Sequence, residues 1–212
     1  MCYTKIMLKN IFSYDDFLKF KDVPRGTFKK LEEFVELLKK WQKTINLVSD
    51  SSIPDVWSRH IIDSAQLLEH IAIEENIIDI GSGAGFPGII LAILGAKNVS
   101  LVESDARKVA FLKEAARVCG VSVTAFCQRV EEMNLETYQT ITARGFASVE
   151  KTLNIMENAI TPKHKLLLLK GKNFEAEKAE ALVNWSFDCQ TSPSITDETG
   201  VIALITNIEK RR

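Results

Sequence analysis

The sequence has no long hydrophobic run and nothing that resembles a signal peptide. Its longest apolar run, Ile89 to Leu94, is far short of the roughly 20 residues that cross a bilayer. Residues 1–20 mix lysine, asparagine and aspartate with apolar side chains, which is not typical of a signal peptide. We therefore expect a cytoplasmic protein with no membrane partner.

Cysteine and histidine are scarce and scattered. None of the four cysteines forms a CxxC pair, and the three histidines show no metal-ligand spacing. The cysteines are Cys2, Cys119, Cys127 and Cys189. This pattern predicts reduced, mostly buried thiols, no disulfide framework and no metal site.

An excess of one charge is also lacking, because the 212 residues contain 27 Lys+Arg and 28 Asp+Glu, a formal net charge of −1. Such a chain has no overall field that attracts nucleic acid, so any polyanion site must be a local basic patch. The length predicts one sizeable unit without a separate RNA-binding domain, and we expect a monomer.

What is present falls into two segments. Residues 1–75 are predicted to form a helical cap, because apolar side chains recur at helical spacing and no strand-like pattern occurs before Asn76. The apolar stripe of the first helix, which starts near Phe28, consists of Leu31, Phe34, Val35, Leu38 and Trp41. A second helix is predicted to begin at Pro54, with Ser52 as its cap.

Residues 76–212 alternate short apolar runs with amphipathic segments. The runs predicted as strands are residues 77–80, 99–103, 121–126, 140–143, 166–169 and 201–206. Helices are predicted near residues 87–94, 109–119, 148–160 and 173–183. This alternation indicates a parallel sheet with helices on both faces, a Rossmann-like α/β core behind an N-terminal helical extension.

The most informative segment follows the first predicted strand and reads Asp79-Ile80-Gly81-Ser82-Gly83-Ala84-Gly85-Phe86-Pro87-Gly88. Glycines at this place let a ligand approach the backbone at the carboxyl edge of the sheet. One register, GxGxxG from Gly83 with Glu103 about 20 residues further on, matches a dinucleotide-binding loop. That register needs the strand to continue through Gly81, and Pro87 removes a donor that a pyrophosphate would use.

The other register places Gly81, Gly83 and Gly85 two residues apart after Asp79, with Glu103 ending the second strand. This is the pattern of class I S-adenosylmethionine-dependent methyltransferases. Their cofactor has no phosphate, so a proline at the helix start is compatible with it. In this interpretation Glu103 accepts hydrogen bonds from ribose hydroxyls. We favour S-adenosylmethionine and keep a dinucleotide-dependent oxidoreductase as the alternative.

Two further absences narrow the methyl acceptor. No proline is followed by cysteine, so the usual nucleophile for methylating a pyrimidine carbon is missing. No two prolines are adjacent, so the loop that commonly handles exocyclic amines of bases is missing too. A ring nitrogen with a free lone pair, such as guanine N7, needs only alignment and desolvation. Small-molecule and protein acceptors remain open on these grounds.

Seven segments then occur in a characteristic order along the chain. They are Asn46-Leu47, Arg59-His60-x-x-Asp63-Ser64, Asp79 to Gly88, Lys108-x-x-Phe111-Leu112, Arg129-Val130-Glu131, Ala143-Arg144-Gly145-Phe146-Ala147 and Lys170-Gly171. Together they closely resemble the ribosomal RNA small-subunit methyltransferase G family, also called glucose-inhibited division protein B. The resemblance covers roughly residues 28–172. It implies a class I methyltransferase fold, S-adenosylmethionine as cofactor, and N7 of guanine 527, in the 530 loop of 16S ribosomal RNA, as acceptor.

The resemblance also implies roles for individual residues. Those expected at the cofactor are Gly81 and Phe86 in the glycine loop, Val130 and Glu131 beside the adenine, and Arg144 as the catalytic residue that contacts cofactor or substrate. Gly83, Gly85 and Glu103 are added from the logic of the fold. Gly145 departs from the family pattern, because alanine is usual at that position.

Several candidates carry competing interpretations. Phe146 would stack on the target base or pack in the core. Arg59 would contact substrate or form a helix-surface ion pair with Asp63. Basic residues expected at RNA, or else on a solvated charged face, are Lys170 and Lys172, then Lys163, His164, Lys165 and the tail Lys210-Arg211-Arg212. A cofactor-binding RNA scaffold without turnover remains a further alternative function.

Overall fold

The computed structural model describes residues 13–211, so the predictions for Cys2 and Arg212 lie outside the described residues. The strands in chain order are β1 (Asn76–Ile80), β2 (Asn98–Glu103), β3 (Val123–Cys127), β4 (Thr140–Arg144), β5 (Lys165–Lys170), β6 (Trp185–Pro193) and β7 (Val201–Lys210). Within the described residues they form one seven-stranded sheet of order β3-β2-β1-β4-β5-β7-β6. Strands β1 to β5 are parallel, and β7 is antiparallel to both of its neighbours.

The helices cover both faces of this sheet. They are α1 (Tyr14–Leu18), α2 (Arg25–Gln42), α3 (Asp63–Ala65), α4 (Gly88–Ile93), α5 (Ala106–Cys119), α6 (Val149–Ile155) and α7 (Phe174–Asn184). The buried side chains of α1 to α5 form one apolar cluster with one face of the sheet, and those of α6 and α7 form a second cluster with the other. The prediction of an α/β core with helices on both faces is confirmed. No helix among residues 13–211 is long and apolar enough to span a membrane.

The cap packs against the core through aromatic side chains. Phe34 of α2 is fully buried and contacts Phe86 edge-on, with ring centroids 5.4 Å apart. It also contacts Phe111 of α5 at 6.1 Å. Because Phe86 belongs to the glycine loop, the cap lies directly against the segment that the sequence singles out as a ligand site.

The prediction of a purely parallel sheet is wrong at one edge. The final strand, β7, is antiparallel to β5, and the unpredicted strand β6 pairs with β7 at the outside of the sheet. Polar residues fill β6 because one side of an edge strand faces solvent, so no apolar run marks it. An alternation of period two, with Trp185, Phe187 and Cys189 directed inward, was the available signal.

The predicted start of the second cap helix is also wrong. Ser52 lies in a short 3-10 turn (Asp50–Ser52), and its hydroxyl donates to the Ser49 carbonyl at 2.7 Å instead of capping a helix. The helical segment starts beyond Pro54 with a π-helical turn (Trp57–Ile62), which continues into α3. A π turn has no distinct sequence pattern, since its hydrophobic spacing overlaps that of an α-helix.

Candidate active site

The loop between β1 and α4 has a backbone that requires glycine. Gly81, Gly83 and Gly85 have φ values of 63°, 53° and 84°, in the left-handed region. A Cβ on Gly81 would lie 2.3 Å from the Cδ2 atom of Phe146, which packs directly on the loop. The alternating glycines therefore let the chain turn sharply and let an aromatic ring approach its backbone.

Asp79 anchors this loop from below. Its fully buried carboxylate accepts hydrogen bonds from the Thr142 hydroxyl at 2.9 Å and from the Gly88 N–H at 3.2 Å. Burial raises the pKa of Asp79 to about 6, and these hydrogen bonds oppose the shift. The N–H of Gly88 at the start of α4 is thus used by the protein's own carboxylate. A pyrophosphate would compete for that donor, which disfavours the dinucleotide register.

A cleft of about 480 Å³ opens at the carboxyl edge of the sheet, beside the glycine loop. Glu103, at the end of β2, lines it and accepts hydrogen bonds from the N–H groups of Gly83 at 3.0 Å and Asp105 at 2.9 Å. A carboxylate offers about four lone-pair sites, so Glu103 keeps acceptor capacity for hydroxyl groups of a ligand.

Several predicted cofactor residues meet in this cleft. Its lining includes Gly81, Glu103, Val130, Glu131 and Phe146. Gly83 and Gly85 shape the loop without lining the cleft, and Phe86 lies behind it with only 3% of its surface exposed. No group of ligand-type side chains among residues 13–211 could hold a metal ion.

Arg144 ends β4 next to the cleft and is held by the cap. Its Nη1 donates to the Arg59 carbonyl at 2.9 Å and lies 3.5 Å from Oδ2 of Asp63. The guanidinium also lies over the Phe86 ring, 4.7 Å from its centroid. Burial lowers the pKa of Arg144, and the Asp63 carboxylate opposes the shift. The group stays charged because the ordinary pKa of arginine is so high.

Asp63 is the centre of a polar network between the cap and the β6–β7 loop. Its Oδ1 accepts from the Thr196 hydroxyl at 2.9 Å and from the Gln66 amide at 3.0 Å. Burial raises the pKa of Asp63, although Arg144 and both hydrogen bonds favour its charged form. Asp63 therefore pairs with Arg144, and the expected surface pair between Arg59 and Asp63 is not formed. The Arg59 side chain is exposed beside Arg144.

Lys170 and Lys172, both predicted to contact RNA, lie in different surroundings. Lys172 is exposed after β5, at the same sheet edge as the cleft. The Lys170 ammonium instead donates to the Ala147 carbonyl at 2.5 Å and pairs with Glu177 at 2.7 Å. It holds the loop after β4 in place, and its ammonium already has partners within the protein.

The remaining basic candidates lie at the opposite edge of the sheet. Lys165 is paired in register with Thr140 at the start of β4, and its ammonium binds Glu75. His164 is buried and bonded to the Leu135 carbonyl at 3.0 Å. Lys210 and Arg211 lie at or past this edge too, because β7 is antiparallel to β5. Lys163, His164, Lys165 and the described end of the tail therefore do not border the cleft, and a contact between RNA and this edge of the sheet stays a prediction.

Sequence reasoning missed several cleft residues. Ser104 and Gln128 follow β2 and β3, and Lys151 projects from the first turn of α6. The available signal was topological, because each follows the carboxyl end of a parallel strand, where α/β proteins bind ligands. Arg129 was quoted only for the family motif, yet its exposed side chain lines the same cleft.

Comparisons with known proteins agree on one family. The family model described as rRNA small subunit methyltransferase G matches residues 27–200. Proteins named ribosomal RNA small subunit methyltransferase G are 46% identical over 182 residues in Rickettsia prowazekii, covering 85% of this chain and 94% of that protein. In Rickettsia felis the identity is 44% over 190 residues, covering 89% and 98%.

Two solved structures share the fold. An RNA methyltransferase from Salinibacter ruber in complex with S-adenosyl-L-homocysteine aligns with a TM-score of 0.53 and 19% identity, covering 70% of this chain and 92% of that one. Magnesium protoporphyrin IX methyltransferase from Synechocystis, with bound S-adenosylmethionine, aligns with a TM-score of 0.55 and 15% identity, covering 88% and 99%. The fold is that of class I methyltransferases, and the chain belongs to the rRNA small subunit methyltransferase G family.

Proposed function

We propose that this protein transfers a methyl group from S-adenosylmethionine to N7 of a guanine in 16S ribosomal RNA, guanine 527 of the 530 loop, in the cytoplasm. The observation that carries the proposal is the position of Glu103, whose carboxylate faces the cleft beside Gly81 in a member of this family. The two Rickettsia relatives, which match this chain over nearly their whole length, are named for methyl transfer to ribosomal RNA of the small subunit.

The residues of the cleft fit the cofactor by their chemistry. Glu103 has acceptor sites for ribose hydroxyls, and Gly81 has no side chain between its backbone and the cleft. Val130 and Glu131 would hold the adenine side. When bound, S-adenosylmethionine supplies a methyl group on a positively charged sulfonium.

Methylation of guanine N7 requires little from the protein beyond alignment of the reacting atoms. Guanine N7 has a lone pair and no proton, so no general base is required, and the methylated base keeps the positive charge. The chain must orient the base, exclude water and hold the reacting atoms in line. Phe146, which follows β4 and packs against the glycine loop, would pack on the base. Arg144 would offer cofactor or base the N–H donors not used by the Arg59 carbonyl and Asp63.

A methylation assay with labelled S-adenosylmethionine tests the proposal. The acceptors are 16S RNA transcribed in vitro and small ribosomal subunits reconstituted from that transcript, so that both lack modification. We expect one 7-methylguanine per RNA at guanine 527, mapped by borohydride–aniline cleavage. Arg144→Lys keeps the charge but loses the planar fork, and should lower turnover sharply.

Other outcomes would overturn the proposal. Label in another base, or in ribosomal protein, would show a methyltransferase with a different acceptor. Binding of S-adenosylmethionine without transfer to either RNA would favour the RNA scaffold. Tight NADH binding with no response to S-adenosylmethionine would favour the oxidoreductase. Full turnover by Arg144→Lys would show that the guanidinium of Arg144 has no role in methyl transfer.

A further inference from the structure

The π-helical turn of the cap provides an acceptor for Arg144. In an α-helix the Asp63 N–H would bond the Arg59 carbonyl, but here it is directed to the carbonyls of Ser58 and His60. The Arg59 carbonyl accepts the Nη1 of Arg144 at 2.9 Å instead. The irregular register therefore presents a backbone acceptor to a guanidinium that is 85 residues away in sequence.

The same turn supports the aromatic ring beneath that guanidinium. His60 stacks on Phe86 with ring centroids 4.9 Å apart and an interplanar angle of 19°. The Arg144 guanidinium lies over the Phe86 ring, 4.7 Å from its centroid, and Phe34 packs edge-on against the same ring. Phe86 is thus a shared platform, and its tilt under Arg144 is fixed by the flat imidazole of His60.

A short hydrogen-bond chain holds His60 in one orientation. The Ser52 hydroxyl donates to the Ser49 carbonyl at 2.7 Å, so it can only accept from His60 Nε2 at 2.8 Å. His60 is therefore the Nε2–H tautomer, and its buried Nδ1 has no partner among the described residues. The pKa of His60 is lowered to about 3 by burial first, and then by Arg144 and Arg59. A neutral ring avoids placing a second cation beside Arg144.

We propose that His60 is a positioning residue for Arg144, which it acts on through the Phe86 ring, while the π turn fixes the guanidinium through the Arg59 carbonyl and Asp63. The cap is then part of the catalytic apparatus. This inference rests on the proposed function, because it assigns the role of Arg144 in methyl transfer. A group that aligns the reacting atoms, without binding substrate itself, should affect turnover more than substrate affinity.

Matched variants test this role. His60→Phe keeps a flat ring on Phe86, His60→Leu has no flat ring, and His60→Gln keeps a donor toward Ser52 but has no ring. His164→Leu is the control, since His164 is also a buried, hydrogen-bonded histidine but lies at the opposite edge of the sheet. The kcat and KM for small subunits, the S-adenosylmethionine affinity and the urea midpoint are measured for each.

We expect kcat to fall about 100-fold in His60→Leu and His60→Gln, as for a misplacement of about 1 Å at the reacting atoms. KM should change by less than about threefold, and His60→Phe should keep at least about a third of wild-type kcat. His164→Leu should lose stability but keep the kcat of its folded fraction.

Three results would overturn the inference. Wild-type kcat in His60→Leu would show that the stack does not matter, and equal losses in His60→Phe and His60→Leu would show that ring stacking is not the cause. If His60→Leu and His60→Gln do not fold while His164→Leu does, His60 is a folding determinant. An inactive wild-type protein would overturn the proposed function instead, so the two failures are distinguishable.

Discussion

Asp79 and His60 are buried ionisable side chains whose pKa values are displaced in opposite directions. Burial raises that of Asp79 to about 6 and lowers that of His60 to about 3. Asp79 contributes stability below its ordinary pKa that is lost as the pH rises through 6. His60 contributes stability above its ordinary pKa of 6.5 that is lost as the pH falls toward 3. In mildly acidic solution the two effects oppose each other.

Single substitutions should separate these two contributions. Asp79→Asn removes the contribution of Asp79. The free energy of unfolding of the wild type, minus that of the variant, should therefore fall by about 2 kcal/mol from pH 4.5 to 7. His60→Phe removes the contribution of His60. The corresponding difference in free energy of unfolding should rise by about 2–3 kcal/mol over the same pH range. Urea unfolding at a series of pH values measures both. Parallel pH profiles for the wild type and both variants would contradict the assigned burial.

The glycine loop is the element whose geometry determines the cleft. Gly81→Ala would introduce a Cβ 2.3 Å from Phe146 at a φ of 63°, whereas Gly120→Ala, at a φ of 57° after α5, meets nothing closer than Lys30 Nζ at 3.8 Å. Both should cost about 1–2 kcal/mol of backbone strain. Only Gly81→Ala should also weaken S-adenosylmethionine binding, by about tenfold or more. Calorimetric titration and urea unfolding of both variants test this.

The outcome at Gly81 distinguishes steric from conformational effects. If Gly120→Ala weakened cofactor binding as much as Gly81→Ala, general destabilisation would explain both. If neither variant weakened it, Gly81 would not lie at the cofactor.

Among the secondary-structure elements, those with a strong local hydrophobic pattern were predictable from the sequence and those without one were not. The parallel strands and the helices near the glycine loop have continuous apolar runs or helical stripes, since both are buried on long faces. The β6 strand and the π turn were missed. An edge strand needs no apolar run, and the hydrophobic spacing of a π turn overlaps that of an α-helix.

At the scale of the whole molecule, the balanced charge of 27 against 28 limits how RNA is held. Exposed cations near the cleft that form no ion pair with another residue of the 13–211 range include Arg59, Arg129, Lys151 and Lys172. Within residues 13–211, the other predicted basic residues lie at the far edge of the sheet or bind internal carboxylates. Contacts from these four cations predict a weak, quickly reversed association with the ribosomal subunit.

The salt dependence of turnover should reflect this small number. A plot of log(kcat/KM) for small subunits against log[KCl] should have a slope no steeper than about −4, because each phosphate contact contributes about −0.7 to −0.9. Lys151→Ala should make the slope shallower by about one. Lys163→Ala, an exposed lysine at the opposite edge, should leave it unchanged. Equal changes in both variants would place the RNA contacts outside the cleft.

The α/β core, the glycine loop and the acidic end of β2 were determined by the sequence alone, because periodicity, glycine content and a fixed spacing are local properties of the chain. The tertiary structure alone decided that Arg144 pairs with Asp63, that Lys170 is occupied by Glu177 and that His60 is neutral. These outcomes depend on burial and on partners that belong to other elements of the fold. The energy of such pairs comes from desolvation and contact geometry, which no local pattern records.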